Sequence, residues 1–332
     1  MSAGTRRSVV TGGAGFIGSH LTEYLLDRGD HVVVVDDFST GRRENLAALA
    51  EHPRLTVVEG SILDRDLLRG AMTGADRVFH LAAAVGVHLI IDEPLRSLRT
   101  NIHGTENVVD LAHELGLTML LASTSEVYGK NTADRLDEGA DRILGSPLLS
   151  RWTYAAAKGI DEAYAHAYWS SLGLPVTIVR LFNTVGPRQT GRYGMVLPRL
   201  VGQALRGEPM TVYGDGRQTR CFSFVGDIVP ALVALVENPA THGLAVNLGG
   251  AEEVSILELA ERIKHVTASD SPIRLVPYAD AYAPGYEDMR RRVPDNSLAG
   301  SLIGFVPRTR VDEIIRRVAG QSSRSGSTMA SR

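Results

Sequence analysis

The sequence predicts an α/β fold: a Rossmann-type, doubly wound parallel sheet with a smaller C-terminal lobe interleaved with it. Short apolar runs rich in β-branched residues alternate with helical patterns through the first half of the chain. A glycine-rich turn follows the first of these runs, and the segments after Gly186 become shorter and richer in glycine and proline. Strands that alternate with helices form βαβ units and a parallel sheet that is covered on both faces.

Each predicted strand is a short apolar run between helical patterns. The strands of the sheet are predicted at residues 8–11, 31–36, 55–59, 77–81, 118–123 and 176–182, with one more at 244–248. Helices are predicted at 16–28, 98–115 and 152–170. The first domain therefore spans 1–185, with a late strand near 244–250 returning to it, and 186–318 forms most of the smaller lobe. Residues 319–332 are mostly small and polar, which predicts a disordered tail.

The composition of the 332 residues excludes several classes of function. A formal net charge of -3 gives no basic field for nucleic acid, and the single cysteine, Cys221, cannot form an internal disulfide. No apolar run approaches the roughly 20 residues of a membrane helix, and the first strand begins too early to leave room for a signal peptide. The histidines lack the spacing of metal ligands. We therefore expect a cytoplasmic protein with no metal, no membrane contact and no nucleic-acid partner.

The glycine-rich turn, Gly12-x-x-Gly15-x-x-Gly18, lies between the first strand and the first helix. Glycines let the backbone approach a pyrophosphate, and the helix N-terminus offers it unpaired N–H groups. A glycine triplet by itself is often only a turn, but Asp36 ends the second strand, where its carboxylate can accept hydrogen bonds from a ribose diol. The same carboxylate would repel a 2′-phosphate. The first domain is therefore predicted to bind NAD and not NADP.

Two features near this turn leave alternatives open. Arg42 and Arg43 follow the second strand, and arginines can hold a 2′-phosphate. Asp64 follows the third strand and is predicted either to contact the adenine or to cap a helix.

Tyr154 and Lys158 are four residues apart, so on a helix they share one face. A lysine ammonium near a phenol favours the phenolate and lowers the pKa of the tyrosine, which gives a base for a sugar hydroxyl. On spacing alone a surface pair is the commoner interpretation. However, Thr124 follows a predicted strand, and its hydroxyl can hydrogen-bond the reacting oxygen.

Together these residues resemble the extended short-chain dehydrogenase/reductase family, over roughly residues 6 to 317. The motifs are TGGAGFIGSH, VDDFSTG, HLAAAVGV, STSEVYG, YAAAK and RLFNTVGPR. The resemblance assigns these residues to the cofactor: Gly12, Gly15, Phe16, Ile17, Gly18, Asp36, Asp37, Ser39, Thr40, Gly41, Ile62, Asp64, Leu81, Ala82, Ala83, Tyr154 and Lys158. It also implies a homodimer in which the helices at 98–115 and 152–170 pair across a two-fold axis; alternatively, both faces are buried within one chain.

The residues after Thr124 indicate which reaction the resemblance implies. In the family's 4,6-dehydratases an Asp-Glu pair follows the threonine, whereas this chain has Ser125-Glu126 and lacks that proton donor. The Thr-Ser-Glu set, with Arg292 two residues before Pro-Asp, is similar to UDP-glucuronic acid decarboxylases, also called UDP-xylose synthases. The alternative for Arg292 is one member of a solvated basic run.

That similarity implies a tightly bound NAD that is recycled within turnover. C4 of the sugar is oxidised, the C6 carboxylate leaves as CO2, and the product is UDP-xylose or the released UDP-4-keto-xylose. The residues implied for catalysis are Thr124, Ser125, Glu126, Tyr154, Lys158 and Arg292. Those implied for substrate binding are Asn183, Arg188, Gln189, Leu197, Tyr213, Gln218, Arg220 and Arg292. Asn183 is otherwise a turn residue and Tyr213 a core aromatic.

Two other functions remain open at this point. Residues 82–87 read AAAVGV, which looks more like the epimerase branch of the family and favours a UDP-sugar 4-epimerase acting on UDP-glucose or UDP-glucuronate. A non-catalytic NAD-binding regulator on the same fold is the third possibility. Proteins of that kind commonly lose the tyrosine–lysine pair, which this chain retains at Tyr154 and Lys158.

Overall fold

The computed structural model describes residues 5–84, 93–191, 195–281 and 289–329. The strands are β1 (Arg7–Thr11), β2 (His31–Asp36), β3 (Leu55–Glu59), β4 (Arg77–His80), β5 (Thr118–Thr124), β6 (Val176–Leu181), β7 (Thr184–Val185), β8 (Met210–Tyr213), β9 (Thr219–Cys221), β10 (Ser223–Phe224), β11 (Ala245–Leu248), β12 (Glu253–Ser255), β13 (Ile273–Val276) and β14 (Arg291–Arg292). The helices are α1 (Phe16–Asp27), α2 (Arg65–Met72), α3 (Pro94–Glu114), α4 (Thr153–Leu172), α5 (Val196–Leu205), α6 (Val225–Val236), α7 (Ile256–Thr267), α8 (Tyr278–Ala281), α9 (Ser297–Ile303) and α10 (Val311–Met329).

The seven-stranded sheet has the order β11-β6-β5-β4-β1-β2-β3, and all its neighbouring strands are parallel. The chain moves outward from β1 to β3, returns to β4 on the other side of β1, and then continues outward to β6. This doubly wound order confirms the fold class. The late strand β11 joins β6 at the edge of the sheet, as the apolar run at 244–248 predicts.

The two faces of the sheet are packed by different helices, and the alternation along each strand shows why. Val10 and Val34 lie in one apolar cluster with α1 and α6, whereas Val9 and Val33 lie in another with α2 and α3. Successive side chains of a strand point to opposite faces, so a strand covered on both sides is apolar throughout. Full burial of each valine or leucine contributes about 1.5–3 kcal/mol.

The smaller lobe has its own apolar cluster, in which α5, α7 and α10 contribute Leu200, Ile263 and Ile314. Short strand pairs complete it: β8 with β13, β7 with β10, and β9 between β12 and β14. The pairing of β14 with β9 places Arg292 opposite Arg220. This lobe therefore brings two buried arginines toward the main sheet.

Composition predicts a disordered tail from residue 319, whereas the backbone of α10 is helical as far as Met329. Polar composition removes groups that could pack, but this segment has no proline to end a helix. The division of the chain at residue 185 into a cofactor domain and a substrate lobe stays a prediction. Of the epimerase-like segment 82–87, residues 85–87 lie outside the described residues.

Candidate active site

A cleft of about 500 Å³ lies where the carboxyl ends of the sheet strands face the smaller lobe. Ligands of open parallel sheets bind at this edge. Every residue implied for catalysis lines it: Thr124, Ser125, Glu126, Tyr154, Lys158 and Arg292. So do these residues implied for the cofactor: Gly12, Gly15, Phe16, Ile17, Gly18, Asp36, Asp37, Ser39, Thr40, Ile62, Leu81, Ala82 and Ala83. The substrate residues that line it are Asn183, Arg188, Gln189, Tyr213, Gln218, Arg220 and Arg292.

The glycine turn is built so tightly that side chains would not fit. Gly12 has a φ of +71°, and a Cβ there would lie 2.8 Å from the backbone nitrogen of Ala82. A Cβ on Gly18 would lie 2.1 Å from the carbonyl oxygen of Gly12. The start of α1 is thereby held against the end of β1. This cradle of bare backbone at a helix N-terminus fits the pyrophosphate of a dinucleotide.

Asp36 ends β2 inside the cleft, with its carboxylate accepting from the backbone N–H groups of Ala14 (2.9 Å) and Phe38 (2.8 Å). Burial raises the pKa of this carboxyl above its usual range. Gly41 does not line the cleft; a Cβ there would lie 2.6 Å from Asp36 Oδ1, so its role is to make room. Of the two nearby arginines, Arg43 pairs with Glu59 on the surface, while Arg42 lines the cleft.

The structure places the side chains of Asp64 and Leu197, while their contacts with a ligand stay predictions. Asp64 does not line the cleft; its carboxylate caps α2, accepting from the N–H of Leu67 at 3.0 Å. The capping alternative is therefore the observed one. Leu197 is fully buried in the apolar cluster of the smaller lobe. The start of α5 turns Leu197 inward and leaves Met195 and Val196 lining the cleft.

Tyr154 and Lys158 lie on α4 and both face the cleft, as their spacing predicts. Lys158 is only 2% exposed, and its Nζ lies 3.2 Å from Oδ2 of the equally buried Asp161. Burial and the carboxylates of Glu126 and Asp161 raise the pKa of Tyr154. The sequence predicts a lowered pKa for Tyr154, whereas the groups that the structure describes around it raise this pKa. A second positive charge beside the phenol is needed to favour the phenolate.

A buried hydrogen-bonded chain, which no sequence pattern predicts, continues from Asp161 into the sheet. Asp161 is hydrogen-bonded to Thr105, whose Oγ1 lies 3.1 Å from His80 Nε2. His80 Nδ1 lies 2.7 Å from Thr11 Oγ1 at the end of β1. Burial lowers the pKa of His80 to about 3, so its ring is neutral. The middle of α4 is thus connected by hydrogen bonds to β1, the strand that leads into the glycine turn.

Glu126 lies just after the C-terminal end of β5, where two arginines hold its carboxylate. Its Oε1 lies 2.6 Å from Arg292 Nη2, and its Oε2 lies 2.7 Å from Arg151 Nη2. Burial opposes the charge, but the two guanidinium groups outweigh it and lower the pKa of Glu126 to about 2. Arg292 also donates from Nη1 to Ser125 Oγ at 3.3 Å. Glu126 is therefore a carboxylate throughout the neutral range.

Thr124 begins the short 3-10 turn Ser125–Tyr128 that presents Glu126. Its Oγ1 accepts from the N–H of Glu126 at 3.1 Å, so the hydroxyl hydrogen is left to donate elsewhere.

The basic run at 290–292 is divided by the strand β14. Arg290 and Arg291 are exposed, and Arg291 pairs with Glu253 and Asp134, whereas Arg292 is 5% exposed and faces Glu126. Alternation along a strand produces this division. The interpretation of Arg292 as a solvated surface residue is therefore wrong.

Arg151 is the residue that sequence reasoning missed. It lies in the 3-10 turn Ser150–Trp152 directly before α4, and its guanidinium stacks 4.9 Å from the centroid of the Trp152 ring. The signal was its position three residues before Tyr154, which places both on one side of the helix start.

The remaining substrate residues lie on the smaller lobe and the loops that lead to it. Asn183 has a φ of +33° and donates from Nδ2 to the carbonyl of Cys221 at 3.1 Å, so it shapes a turn while lining the cleft. Arg199 stacks 4.4 Å from the Tyr213 ring centroid, and Tyr213 lines the cleft and is not a core aromatic. Arg188 Nη2 lies 2.6 Å from Glu23 Oε2, which ties the loop after β7 to α1.

The described residues also bear on metals and membranes. Across residues 5–84, 93–191, 195–281 and 289–329, no group of three or more His, Cys, Asp or Glu side chains is placed to hold a metal ion. Over the same ranges, no helix combines the length and apolar composition needed to cross a membrane.

Comparison with known proteins gives consistent relatives. The model of the NAD dependent epimerase/dehydratase family matches residues 8–249. A UDP-N-acetyl-alpha-D-glucosaminuronate decarboxylase from Bacillus cytotoxicus is 40% identical over 303 residues, 91% of this chain and 93% of that protein. UDP-glucuronic acid decarboxylase 1 from Arabidopsis thaliana is 40% identical over 316 residues, 94% of this chain and 68% of that protein. The structure of UDP-glucuronic acid 4-epimerase from Bacillus cereus with UDP-glucuronic acid and NAD has a TM-score of 0.87 at 28% identity, covering 96% of this chain and 99% of that chain.

Proposed function

The chain belongs to the NAD dependent epimerase/dehydratase family, and we propose that it is an NAD-dependent decarboxylase of UDP-glucuronic acid. Its product is UDP-xylose, or UDP-4-keto-xylose where the intermediate is released. The observation that carries this proposal is the placement of Glu126 and Arg292, 2.6 Å apart, in the same cleft as Tyr154. A 4,6-dehydratase would have an acid in place of Ser125, which instead accepts from Arg292.

The cofactor fits the residues present. The bare-backbone cradle at Gly12 and Gly18 takes the pyrophosphate, and Asp36 takes the adenosine ribose. When bound, NAD supplies the hydride acceptor that makes C4 a ketone and the hydride that later returns to it. Burial and the carboxylates of Glu126 and Asp161 raise the pKa of Tyr154. The positive charge that an oxidised cofactor would bring when bound would oppose them.

Tyr154 takes the proton of the C4 hydroxyl as C4 is oxidised. The C6 carboxylate is then β to a ketone. The C5–C6 bond breaks, CO2 leaves, and the electron pair enters an enolate that spans C5, C4 and the C4 oxygen. The Thr124 hydroxyl can donate its hydrogen to that oxygen while its Oγ1 accepts from the N–H of Glu126.

C5 must then receive a proton. With a pKa of about 2, Glu126 carries none at neutral pH, so it orients the sugar or a water molecule and is not the acid itself. We assign the C5 proton to solvent. After the ketone at C4 is reduced again, the sugar is a pentose and the cofactor is in its starting form.

A second substrate is favoured by a specific observation: the relative from Bacillus cytotoxicus acts, by its name, on a UDP-sugar uronate with an N-acetyl group. The carboxylate chemistry is the same for both substrates. A 4-epimerase is the remaining candidate, supported by similarity to the Bacillus cereus epimerase at 28% identity, below the 40% to the decarboxylases.

Incubation of the purified protein with UDP-glucuronate and, separately, with its 2-acetamido analogue tests these alternatives. Mass spectrometry of the nucleotide sugars distinguishes loss of CO2 from release of the 4-keto sugar, and proton NMR of material of unchanged mass distinguishes a C4 epimer from unreacted substrate. We expect loss of CO2 from at least one uronate. Unchanged mass with both, from folded and NAD-loaded protein, would contradict the proposal.

We also propose a cytoplasmic homodimer that pairs through α3 and α4. These helices pack on each other, and between them they expose Leu95, Ile160, Trp169 and Leu172. Exposed apolar side chains on helices that pack together can form a contact between subunits. The mass in solution, from light scattering, tests this: replacing Ile160 by Asp is expected to give monomers.

A further inference from the structure

We infer that Asp161 is a positioning residue for the proposed reaction: its carboxylate fixes the ammonium group of Lys158 and thereby sets the charge beside Tyr154. This inference deepens the proposed function and rests on it. Asp161 follows Lys158 by three residues on α4, and its Oδ2 lies 3.2 Å from Lys158 Nζ. Lys158 lines the cleft and Asp161 does not, so the carboxylate holds the ammonium group from the interior of the fold.

Asp161 is 2% exposed, and a buried carboxylate is costly unless a cation and hydrogen bonds compensate for it. The next residue, Glu162, is also buried, but it pairs with Arg180 of β6 at 2.7 Å. The two neighbouring carboxylates therefore have different cations. The pair with Arg180 gives Glu162 a role in the fold, whereas the cation that pairs with Asp161 belongs to the cleft.

A second set of contacts orients the Asp161 carboxylate. It is hydrogen-bonded to Thr105 of α3, whose Oγ1 lies 3.1 Å from His80 Nε2. Because a carboxylate only accepts, Thr105 donates to it and accepts from Nε2–H, and Thr11 donates to His80 Nδ1 at 2.7 Å. The Oγ1 of Thr11 accepts in turn from the N–H of Ala82, which lines the cleft. These neighbours are neutral, so they orient Asp161 without adding a charge beside it.

The charged groups of this region lie on several elements. They are Lys158, Asp161 and Glu162 on α4, Arg151 before α4, Glu126 after β5, Arg180 on β6 and Arg292 on β14. Of these, the carboxylates of Glu126 and Asp161 raise the pKa of Tyr154. Asp161 therefore acts on the base in two ways: its contact keeps the Lys158 ammonium group in place, and its charge disfavours the phenolate. Removing the charge while keeping the contact separates these effects.

The first test is the pH dependence of kcat for CO2 release from UDP-glucuronate, in the full-length, NAD-loaded protein. Asp161→Asn removes the charge and keeps an oxygen for Lys158. The rise of kcat with pH is therefore expected to move to lower pH by about one unit, while the maximal kcat stays within about fivefold of the wild type. Asp161→Ala also removes the oxygen, and its maximal kcat is expected to be about 10-fold lower again.

Glu162→Gln is the matched control, because it removes the neighbouring buried carboxylate, which pairs with Arg180. It is expected to lower the midpoint of urea unfolding and to leave the pH dependence of kcat unchanged. A role of Asp161 in stability alone predicts this same result for Asp161→Asn.

A second readout does not depend on turnover. With 13C at the ring carbon that bears the tyrosine hydroxyl, the Tyr154 signal is identified by its loss in Tyr154→Phe. In NAD-loaded protein without substrate, this signal is expected to change to that of the phenolate at lower pH in Asp161→Asn than in the wild type.

The outcomes separate the two proposals. In Asp161→Asn, an unchanged Tyr154 titration or pH dependence of kcat, or a shift of either to higher pH, would overturn the effect of the charge. Equal maximal kcat values for Asp161→Asn and Asp161→Ala would overturn the fixing of Lys158. If the wild type releases no CO2 while the Tyr154 titration moves as expected, Asp161 still sets the charge beside Tyr154 but the proposed function fails. Should Asp161→Asn not fold, Asp161→Ser, a smaller neutral side chain with a hydroxyl for Lys158, must give the same shift of the Tyr154 titration.

Discussion

Two arginine–carboxylate clusters lie at opposite edges of the same sheet. At the amino edge, Arg77 is 2% exposed and donates to Asp30 Oδ2 at 2.7 Å and to Glu237 Oε1 at 2.8 Å. At the carboxyl edge, Glu126 is held by Arg151 and Arg292, and all three line the cleft. The chemical groups are the same, but only the second cluster faces space that a substrate can enter.

The clusters differ in what surrounds them. At the amino edge Arg77 joins two carboxylates, Ser8 adds a hydroxyl to Asp30 at 2.8 Å, and Arg28 also pairs with Glu237 at 2.9 Å. At the carboxyl edge two guanidinium groups hold Glu126 beside Tyr154 in the cleft. The first cluster joins elements of the fold, whereas the second lines the space in which a sugar would bind. Stability is therefore expected to depend on the amino edge and turnover on the carboxyl edge.

The largest effect is expected from Tyr154→Phe, which removes the base and leaves both clusters intact. Turnover should fall by about 10³-fold or more, because no other described hydroxyl both faces the cleft and shares a helix face with Lys158. NAD content and the unfolding midpoint should be unchanged. The measurement is kcat together with the NAD content of the purified variant. Near-normal turnover in this variant would show that Tyr154 is not the base.

Arg77→Gln tests the amino edge. It leaves the buried carboxylate of Asp30 without its cation, so we expect a loss of about 3–5 kcal/mol in the free energy of unfolding. The kcat of the molecules that remain folded should stay near that of the wild type. Urea unfolding followed by circular dichroism checks the first point and low-temperature kinetics the second. Arg69→Gln, on an exposed pair, should change stability by less than about 1 kcal/mol.

Glu126→Gln sharpens the comparison through pH. Glu126 raises the pKa of Tyr154, so removing its charge should lower that pKa. The rise of rate with pH that reflects loss of the Tyr154 proton should therefore move to lower pH, while the maximal kcat falls about 10²-fold. A pH–kcat profile of both proteins checks this. A shift to higher pH would show that Glu126 does not act on Tyr154 through its charge.

The smallest effect is expected where the loop after β7 is tied to α1. Glu23→Gln removes the partner of Arg188 at 2.6 Å without touching the glycine turn. The pair is partly exposed, so its loss should cost below about 1 kcal/mol and speed NAD release only a few-fold. Release is measured as the rate of NAD loss on dilution into a trap. A much larger change would mean that the Glu23–Arg188 ion pair, and not the glycine turn at Gly12–Gly18, provides most of the cofactor binding.

The sequence predicts those parts of the fold and of the site that depend on residues close together in the chain. The strand runs, the turn at Gly12–Gly18 and the Tyr154–Lys158 spacing are local, and the carboxyl edge of a parallel sheet brings their ends together. Contacts between distant segments have no such pattern. The arrangement in which Arg151 and Arg292 share one carboxylate joins segments about 140 residues apart in the chain.

Side-chain direction is the second feature that the sequence leaves undecided. Asp64 is predicted either to contact the adenine or to cap a helix, and it caps α2; the Leu197 side chain packs inward from the first turn of α5. The first turn of a helix decides whether a side chain caps the backbone, packs inward or faces the cleft. Sequence reasoning at the level of segments cannot separate these outcomes.

The most direct test is the mass of the product formed from UDP-glucuronate in D2O. If Glu126 is a fixed carboxylate and solvent protonates C5, the product should have lost CO2 and gained a single deuterium at C5, while the hydrogen at C4 is the substrate's own. A product of unchanged mass apart from exchange would instead indicate epimerisation. Loss of CO2 without deuterium at C5 would contradict the role assigned to solvent.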